Sequence, residues 1–425
     1  MVSESDALFL GIDSGTSGIR AVCVDRHGNS IAEAQTRFDD AGEARTPDAW
    51  WVGICRVLEE LSHQTALKHI IAIAVDGQSG TVLLCDDEGV ALSPPMFYNE
   101  AAGVDVMGEL AACLPNGKEV PATLGRVAEL WAADKPECFH VVHQADWLAG
   151  LLCGRFGFSD ENNSLKLGYN PSAGNWTFEP SSLPFDGAAL PKVFQPSTQI
   201  GTVTAAVVEQ FDFPPDCRIC AGTTDGMAGF IAASGLDNLG PGTAVTSLGT
   251  TLVIKTVSPT RVDVPSFGIY SHRLFDNWVA GGASNSGGGA LLRHFSTAEI
   301  SALSAQIDPD VPTGLEYYPL VSSGERFPIN DPALVDRTKP RPENDAGFLA
   351  GLFEGVARIE KRGFDLLETY GVPYPLRVKT VGGGSQNEVW IKIRQRILGV
   401  EVTAAKQTEA AYGAALVALR GASPA

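Results

Sequence analysis

Basic residues are scarce in this 425-residue chain, 31 Lys and Arg against 50 Asp and Glu, which leaves a formal charge of −19. So acidic a surface repels nucleic acid and anionic lipid, and neither is expected as a partner. An anionic small molecule remains admissible where backbone N–H groups, a helix N-terminus or a metal ion supply a local positive field. No apolar run approaches the ~18 residues of a spanning helix, so no membrane segment is expected. Residues 1–8 carry Glu4 and Asp6 without a basic stretch, so no secretory signal is expected there. No cysteine follows Cys220, and the eight present are scattered singly apart from Cys217 and Cys220. That Cys-x-x-Cys has no second pair at zinc-site spacing, and its Arg218-Ile219 centre belongs to a strand-like run. Buried structural thiols are expected. Scattered free cysteines without a signal point to a reducing cytoplasm.

Apolar residues and glycine are plentiful. At 44% hydrophobic and 19% charged the chain can bury sizeable cores, and its length allows two or three domains. Its 46 glycines matter by position, since glycine marks tight turns and close approach of backbone to a ligand. Residues 8–12 are an apolar run ending in Asp13-Ser14-Gly15-Thr16-Ser17-Gly18, and 19–24 and 31–34 follow as an antiparallel meander. Residues 48–67 have helical spacing, with Trp51, Ile54, Val57, Leu58 and Leu61 on one face. Residues 70–75 read as a buried strand ending in Asp76-Gly77-Gln78-Ser79-Gly80. The second half repeats this plan. Residues 244–255 are a strand pair around Leu248-Gly249-Thr250-Thr251, 278–280 another strand, 348–370 a helix and 376–381 a strand. Two similar halves without a direct sequence repeat suggest a duplicated α/β architecture. Residues 180–215, rich in Pro, Ser and Asp, are expected to be irregular, and the domains are placed at 1–236 and 237–425.

Several turns carry candidate chemistry. Gly11-Ile12-Asp13-Ser14-Gly15-Thr16-Ser17 delivers a carboxylate from a strand into a small-residue turn. Its N–H groups can converge on phosphate oxygens and Asp13 can hold a hydrated Mg²⁺, although the same residues also serve a plain hairpin. Gly222-Thr223-Thr224-Asp225-Gly226 joins the strand at 218–221 to a small, apolar run at 227–234. Asp225 at that junction can accept a proton from an attacking hydroxyl, or simply cap a helix. Residues 247–251 form another strand–Gly–hydroxyl turn, equally a plain hairpin. Gly382-Gly383-Gly384 leaves room for a flat adenine or ribose ahead of a helix at 388–398. It is not the dinucleotide fingerprint, whose third glycine would fall at Asn387. Asn387 fits a helix N-cap, and its amide is also suited to meeting a base. Residues 408–419 are rich in Ala and Gly, which suits either two helices packed almost backbone to backbone or an ordinary Ala-rich helix.

Taken in order, from about Leu8 to Leu419, these motifs resemble the FGGY carbohydrate kinases, members of the actin-like, RNase H-like ATPase superfamily. Residues 281–289 and Gly324-Glu325-Arg326-Phe327-Pro328 fit as well. The resemblance implies an α/β protein of two RNase H-like domains flanking a cleft, the N-terminal one binding sugar and the C-terminal one nucleotide. It implies ATP and Mg²⁺. Asp225 matches the catalytic base, Asp13 would sit beside Mg²⁺, and Gly15, Thr16 and Ser17 near the transferring phosphoryl group. Gly249, Thr250, Thr251, Gly383, Gly384 and Asn387 would meet the nucleotide.

Within the family the chain is most similar to the short kinases of D-ribulose and D-xylulose, which assigns Asp13, Asp76, Ser79, Gly80, Asn99 and Asp225 to the sugar. Ser79 stands where longer xylulose kinases carry a His. Phe97-Tyr98-Asn99-Glu100 stands where glycerol kinases carry an Asp and an Arg, and no Arg lies between Phe97 and Gly103, which argues against glycerol. Residues 159–163 and 166–169 also resemble the pentulose kinase pattern, or equally a capped surface loop. The expected reaction is ATP-dependent phosphorylation of a ketopentose hydroxyl. The alternatives are a non-catalytic sugar-sensing protein of the same fold, which the intact Asp13 and Asp225 disfavour, and a kinase for another polyol such as glycerol. A homodimer is compatible with the sequence.

Overall fold

An apolar run such as residues 8–12 can bury both faces only in the middle of a covered sheet. The computed structural model, which describes residues 6–38, 45–115 and 119–422, places it there. The expectation that residues 1–5 carry no signal lies outside the described residues. The chain forms two units, Met1–Leu236 with Glu409–Ala425, and Asp237–Thr408.

In the first unit β1 (Leu8–Ser14), β2 (Gly18–Val24) and β3 (Ser30–Arg37) form the expected meander, followed by α1 (Pro47–Ser62) and β4 (Ile70–Gly77). A side layer holds β5 (Val82–Cys85), α2 (Val104–Cys113), α3 (Ala122–Asp134) and β6 (His140–His143). Next come α4 (Gln144–Cys153), β7 (Phe158–Asp160), α5 (Glu161–Leu165), β8 (Tyr169–Asn170), β9 (Asn175–Trp176) and β10 (Lys192–Phe194). The unit continues with β11 (Gln199–Thr202), α6 (Ala205–Phe211), β12 (Arg218–Thr224) and α7 (Asp225–Ser234).

The second unit contains β13 (Thr243–Leu248), β14 (Leu252–Ser258), β15 (Tyr270–Leu274), β16 (Asn277–Ser284), α8 (Gly288–Leu292) and α9 (Thr297–Ser304). It ends with α10 (Asp345–Thr369), β17 (Arg377–Val381), α11 (Glu388–Leu398) and β18 (Glu401–Ala404). The last helix, α12 (Ala410–Ala422), returns to the first unit.

The two six-stranded sheets have the orders β11-β12-β4-β1-β2-β3 and β15-β16-β14-β13-β17-β18. Without the edge strands β11 and β15 the plans coincide. Each is an antiparallel meander whose first strand takes a parallel neighbour, which takes another in turn. Apolar cores fill the space between each sheet and its helices, with a separate cluster under the side layer.

Three expectations change. In α1 the fully buried tryptophan is Trp50, with Trp51 only half-buried, and the helix stops at Ser62 rather than near Leu67. Thr46 caps α1 and Pro47 opens it, which turns the register so that Trp50 joins Ile54, Val57, Leu58 and Leu61 in the core. Residues 180–215 are not all irregular, because β11 extends the first sheet and Thr204 caps α6. Finally, the residues from Glu409 onward pack with the first unit although they were assigned to the second domain.

Small residues cause that last change. A Cβ at Gly11 would lie 2.0 Å from the Ala411 carbonyl oxygen, and one at Gly413 would lie 1.9 Å from that of Ala228. Thus α12 touches β1 and α7 backbone to backbone, the closer of the two packings its composition allowed. All eight cysteines are free, and Cys217 and Cys220 are fully buried, as expected of structural thiols. No described helix is long and apolar enough to cross a membrane.

Gly413→Ala should overpack the α7–α12 contact and cost about 1–3 kcal/mol in urea unfolding. Gly229→Ala, on the facing helix α7 but with nothing within 4 Å of the added carbon, should be neutral or stabilising by up to about 1 kcal/mol. Equal losses in the two variants would show that the close approach does not hold α12 in place.

Candidate active site

Open α/β sheets place ligands at the carboxyl ends of their parallel strands. In the first unit β1, β4 and β12 run parallel, with Asp13 level with Asp76 and Asp76 level with Thr223. Asp225 follows as the first residue of α7. Asp13 and Asp76 are buried, whereas Asp225 is exposed, with Oδ1 accepting the Gly226 N–H at 2.6 Å. The sequence motifs at 13 and 225, far apart in the chain, therefore meet Asp76 at one sheet end.

The electrostatics follow from this crowding. Burial raises the Asp13 carboxyl above its ordinary range and nearby Asp225 adds to the effect, while Asp76 and Arg20 pull it down. Burial, then the Asp13 charge, pushes Asp76 well above the usual carboxylate range. Neither Asp76 oxygen accepts a hydrogen bond from a described residue, so Asp76 is the member of the pair suited to carry a proton. Arg20 sits across the hairpin from Asp13, with Nη1 3.5 Å from Oδ2, and its Nε lies 3.4 Å from Glu409. Sequence reasoning missed Arg20, although hairpin register alone puts it opposite Asp13.

The turn of residues 15–17 is half-buried at Gly15 and exposed at Thr16 and Ser17. The Gly15 N–H is already spent on Gly18 O at 3.0 Å, which removes it from the phosphate donors the turn was expected to offer. Thr16 and Ser17 remain at the open tip.

Beyond β4, residues 77–81 turn beneath a second turn at 97–100. Gln78 and Gln144 are locked together, the Gln78 N–H donating to Gln144 Oε1 at 3.1 Å. Gln78 Oε1 accepts the Thr81 hydroxyl at 3.2 Å, and Thr81 Oγ1 accepts the Tyr98 N–H at 3.3 Å. Yet the Gln78 and Gln144 Nε2 atoms, Ser79 Oγ and Ser164 Oγ are buried without a partner among the described residues. Buried polar atoms of native proteins rarely stay unpaired, so such a cluster calls for a polar occupant. Ser79 belongs to this cluster, Gly80 is buried in the turn, and Asn99 is exposed at the tip of the neighbouring one. Lys166 donates to Ser79 O at 3.4 Å, and its ammonium attracts Asp225.

Residues 159–163 are not a surface loop. They are buried, and Asp160 caps α5 by accepting the Asn162 and Asn163 N–H groups at 2.8 and 3.1 Å. Asn162 Nδ2 in turn donates to Thr223 Oγ1 at 2.9 Å, bracing the strand end that carries Asp225.

In the second unit Gly249, Thr250, Gly383, Gly384, Asn387 and Trp390 line a largely apolar pocket of about 330 Å³. Thr251 stands at the far side of its turn, where its carbonyl accepts the Gly249 N–H. Asn387 is the N-cap of α11: Oδ1 accepts the Trp390 N–H at 2.9 Å and Nδ2 donates to Ser304 at 2.8 Å. The capping bonds fix the orientation of the amide in the pocket wall and occupy one of its two N–H donors. Below, Arg394 donates in bidentate fashion to Glu360 at 2.7 and 2.6 Å, with Thr246 and Thr380 completing a buried network across α10, α11, β13 and β17. Glu325, part of the 324–328 motif, binds Ser284 Oγ at 2.6 Å and the Asn285 N–H at 2.8 Å, a structural role.

Mg²⁺ needs only one or two carboxylates when phosphate and water fill its remaining positions. No group of three or more metal-ligating side chains is assembled among the described residues. Asp13, a buried carboxylate beside an open turn, fits a cation of that kind.

The N-terminal domain model of the FGGY family of carbohydrate kinases matches residues 8–232, and its C-terminal domain model matches residues 244–422. A xylulose kinase of Staphylococcus epidermidis is 24% identical over 99% of this chain and 88% of its own length. The xylulose kinase of Escherichia coli K12 is 24% identical over 98% and 90%. Among solved structures, the xylulose kinase of Rhodospirillum rubrum has a TM-score of 0.78 at 23% identity, covering 98% of this chain and 90% of its own. Plasmodium falciparum glycerol kinase with ADP has a TM-score of 0.78 at 16% identity, covering 98% and 89%. The architecture is the actin-like ATPase fold, and the enzyme class is a sugar kinase, which uses ATP. The chain belongs to the FGGY family of carbohydrate kinases.

Removing one partner of a buried ion pair strands the other. Arg394→Met should therefore cost about 3–5 kcal/mol in denaturant unfolding, and the double change Glu360→Leu with Arg394→Leu much less. A double variant as unstable as the single one would locate the loss in packing, not in the stranded charge.

Proposed function

We propose that the protein is a cytoplasmic kinase of a ketopentose, D-xylulose or D-ribulose, with Asp225 as the general base. The observation that carries this reading is the cluster of buried, unpartnered polar atoms around Asp76, Gln78, Ser79 and Gln144, at the sheet end that also presents Asp13 and Asp225. A polyhydroxylated acceptor supplies both donors and acceptors for such a cluster, and burying it there discriminates strongly against analogues that lack a hydroxyl. The similarity to xylulose kinases over nearly the whole chain supports a pentulose. Ser79 in place of a histidine keeps D-ribulose in the acceptor class.

The residue roles follow from position. Asp13, Asp76, Ser79, Gly80 and Asn99 face the sugar with Asp225. Asp225 is exposed at the start of α7, where water or a substrate hydroxyl can reach it, and the Lys166 ammonium attracts it. Accepting the proton of the attacking hydroxyl is worth roughly 10²–10⁴-fold in such reactions. Thr16 and Ser17 would meet the transferring phosphoryl group, joined by the positive charge of Arg20. The turn at 249–251 would meet the nucleotide phosphates and the pocket behind Gly383 and Gly384 its adenosine part. Asp13 would hold Mg²⁺, which supplies neutralisation of phosphate charge.

Asp225→Asn should lower kcat on the preferred ketopentose by roughly 10²–10⁴-fold while ATP binding persists, as read by ADP release and by nucleotide titration. The screen pairs this variant with the unmodified protein on D-xylulose, D-ribulose, glycerol and gluconate. Equal turnover in the two proteins removes Asp225 from the chemistry, and preference for glycerol refutes the ketopentose assignment.

A further inference from the structure

We propose that Arg126 is the positioning residue that sets the spacing of the two acceptor-side turns, residues 78–81 and 97–100, and through it the choice of acceptor. The inference rests on the reading of those turns as the sugar side of the site.

Arg126 lies on α3, distant in sequence from both turns, and is only 7% exposed. Its Nη1 donates to Gly80 O at 3.1 Å and to Thr123 Oγ1 at 3.3 Å. Its Nη2 donates to Tyr98 O at 2.6 Å and its Nε to Glu100 O at 2.7 Å. One planar group thus holds a carbonyl of the first turn and two of the second. The Glu100 carboxylate, the nearest candidate for an ion pair, is engaged elsewhere, accepting the Phe97 N–H at 2.7 Å and pairing with Arg45.

Glu100 still attracts the guanidinium from a distance, but hydrogen bonds spent on neutral oxygens contribute less of the Coulombic gain that usually offsets burying a cation. What the guanidinium offers instead is direction, since its donors diverge in a fixed plane that no ammonium reproduces. Among the described residues the turns are otherwise joined by the 3.3 Å bond from the Tyr98 N–H to Thr81 Oγ1, and at their bases by the paired backbone bonds of Val82 and Met96 at 3.0 and 2.9 Å. Ser79, with its unpartnered hydroxyl, and the exposed pair Tyr98 and Asn99 ride on backbone whose relative position Arg126 determines. This answers the absence of an arginine between residues 97 and 103. The basic residue of this region comes from a helix behind the turns and acts on their backbone.

The test uses the full chain with Arg126→Lys and Arg126→Ala, assayed for ADP release on D-xylulose, D-ribulose and glycerol. Misplacing a substrate-positioning group by about 1 Å costs on the order of 10²-fold, so the KM for the ketopentose should rise about 10- to 100-fold in both variants. The KM for ATP should stay within about 2-fold, because the guanidinium contacts the backbone of the two acceptor-side turns and Thr123 of its own helix. Added methylguanidinium should restore part of the ketopentose KM in the alanine variant and none in the lysine variant. Unchanged ketopentose KM in an active protein overturns the positioning role alone. So does a parallel rise in both KM values with lowered thermal stability that methylguanidinium does not relieve. An unmodified protein inert on every acceptor overturns the sugar-side reading and this inference with it.

Discussion

Mutual repulsion of three carboxyl groups at one sheet end is the constraint on which the rest of the first unit depends. Asp13, Asp76 and Asp225 are neighbours because parallel strands in register must end together, so the fold itself imposes the conflict. It is relieved unequally. Asp76, fully buried and without a donor, is best accommodated as the neutral acid, whereas Asp13 has Arg20 beside it and Asp225 has water and the field of Lys166. Environments that push like groups apart are how one site comes to hold several carboxyls with separate tasks. The three residues are alike in the sequence and differ only through their surroundings.

The duplicated sheet plan gives one scaffold two differently furnished sheet ends. The first strand and the turn after it carry Asp13 to Ser17 in one unit and Ser247 to Thr251 in the other. The turn after the parallel strand is Asp76-Gly77-Gln78-Ser79 in one and Gly382-Gly383-Gly384 in the other. Acidic and amide groups suit the hydroxyls of an uncharged acceptor. In a chain of net charge −19, a slot for a polyanion must avoid carboxylates, and glycine replaces them with bare backbone. The second slot is then made rigid from below by the Arg394–Glu360 network, which keeps its own charges paired and out of reach.

Much of this was legible in the sequence, for reasons that differ by element. The meanders, β4, β17 and α11 could be read because each is a local pattern bounded by its own turn or cap. The order of the glycine turns then disclosed the family. Trp51 was misplaced because a cap sets helix register, and Thr46-Pro47 shifts the start by one position from the apolar pattern. β11 and α6 were hidden in a Pro- and Ser-rich stretch whose edge strand is too short to show alternation. The destination of α12 was invisible because a small-residue helix states how closely it packs and not against what. Arg20 was recoverable by counting hairpin register, whereas Gln144 and Arg126 were not. Their partners lie 66 and up to 46 residues away, and only tertiary structure brings them together.

That asymmetry bears on where acceptor choice resides. The motifs by which the family is recognised are short contiguous turns, so the resemblance survives at 24% identity. On the proposed reading the acceptor meets side chains on two turns joined to each other through Thr81, which closes the first of them, and through Arg126, which belongs to no motif read in the sequence. Changes at such supporting positions alter the separation of the turns without touching the residues that read the sugar. On that proposal, a family built this way can exchange one polyol for another without changing the motifs by which it is recognised.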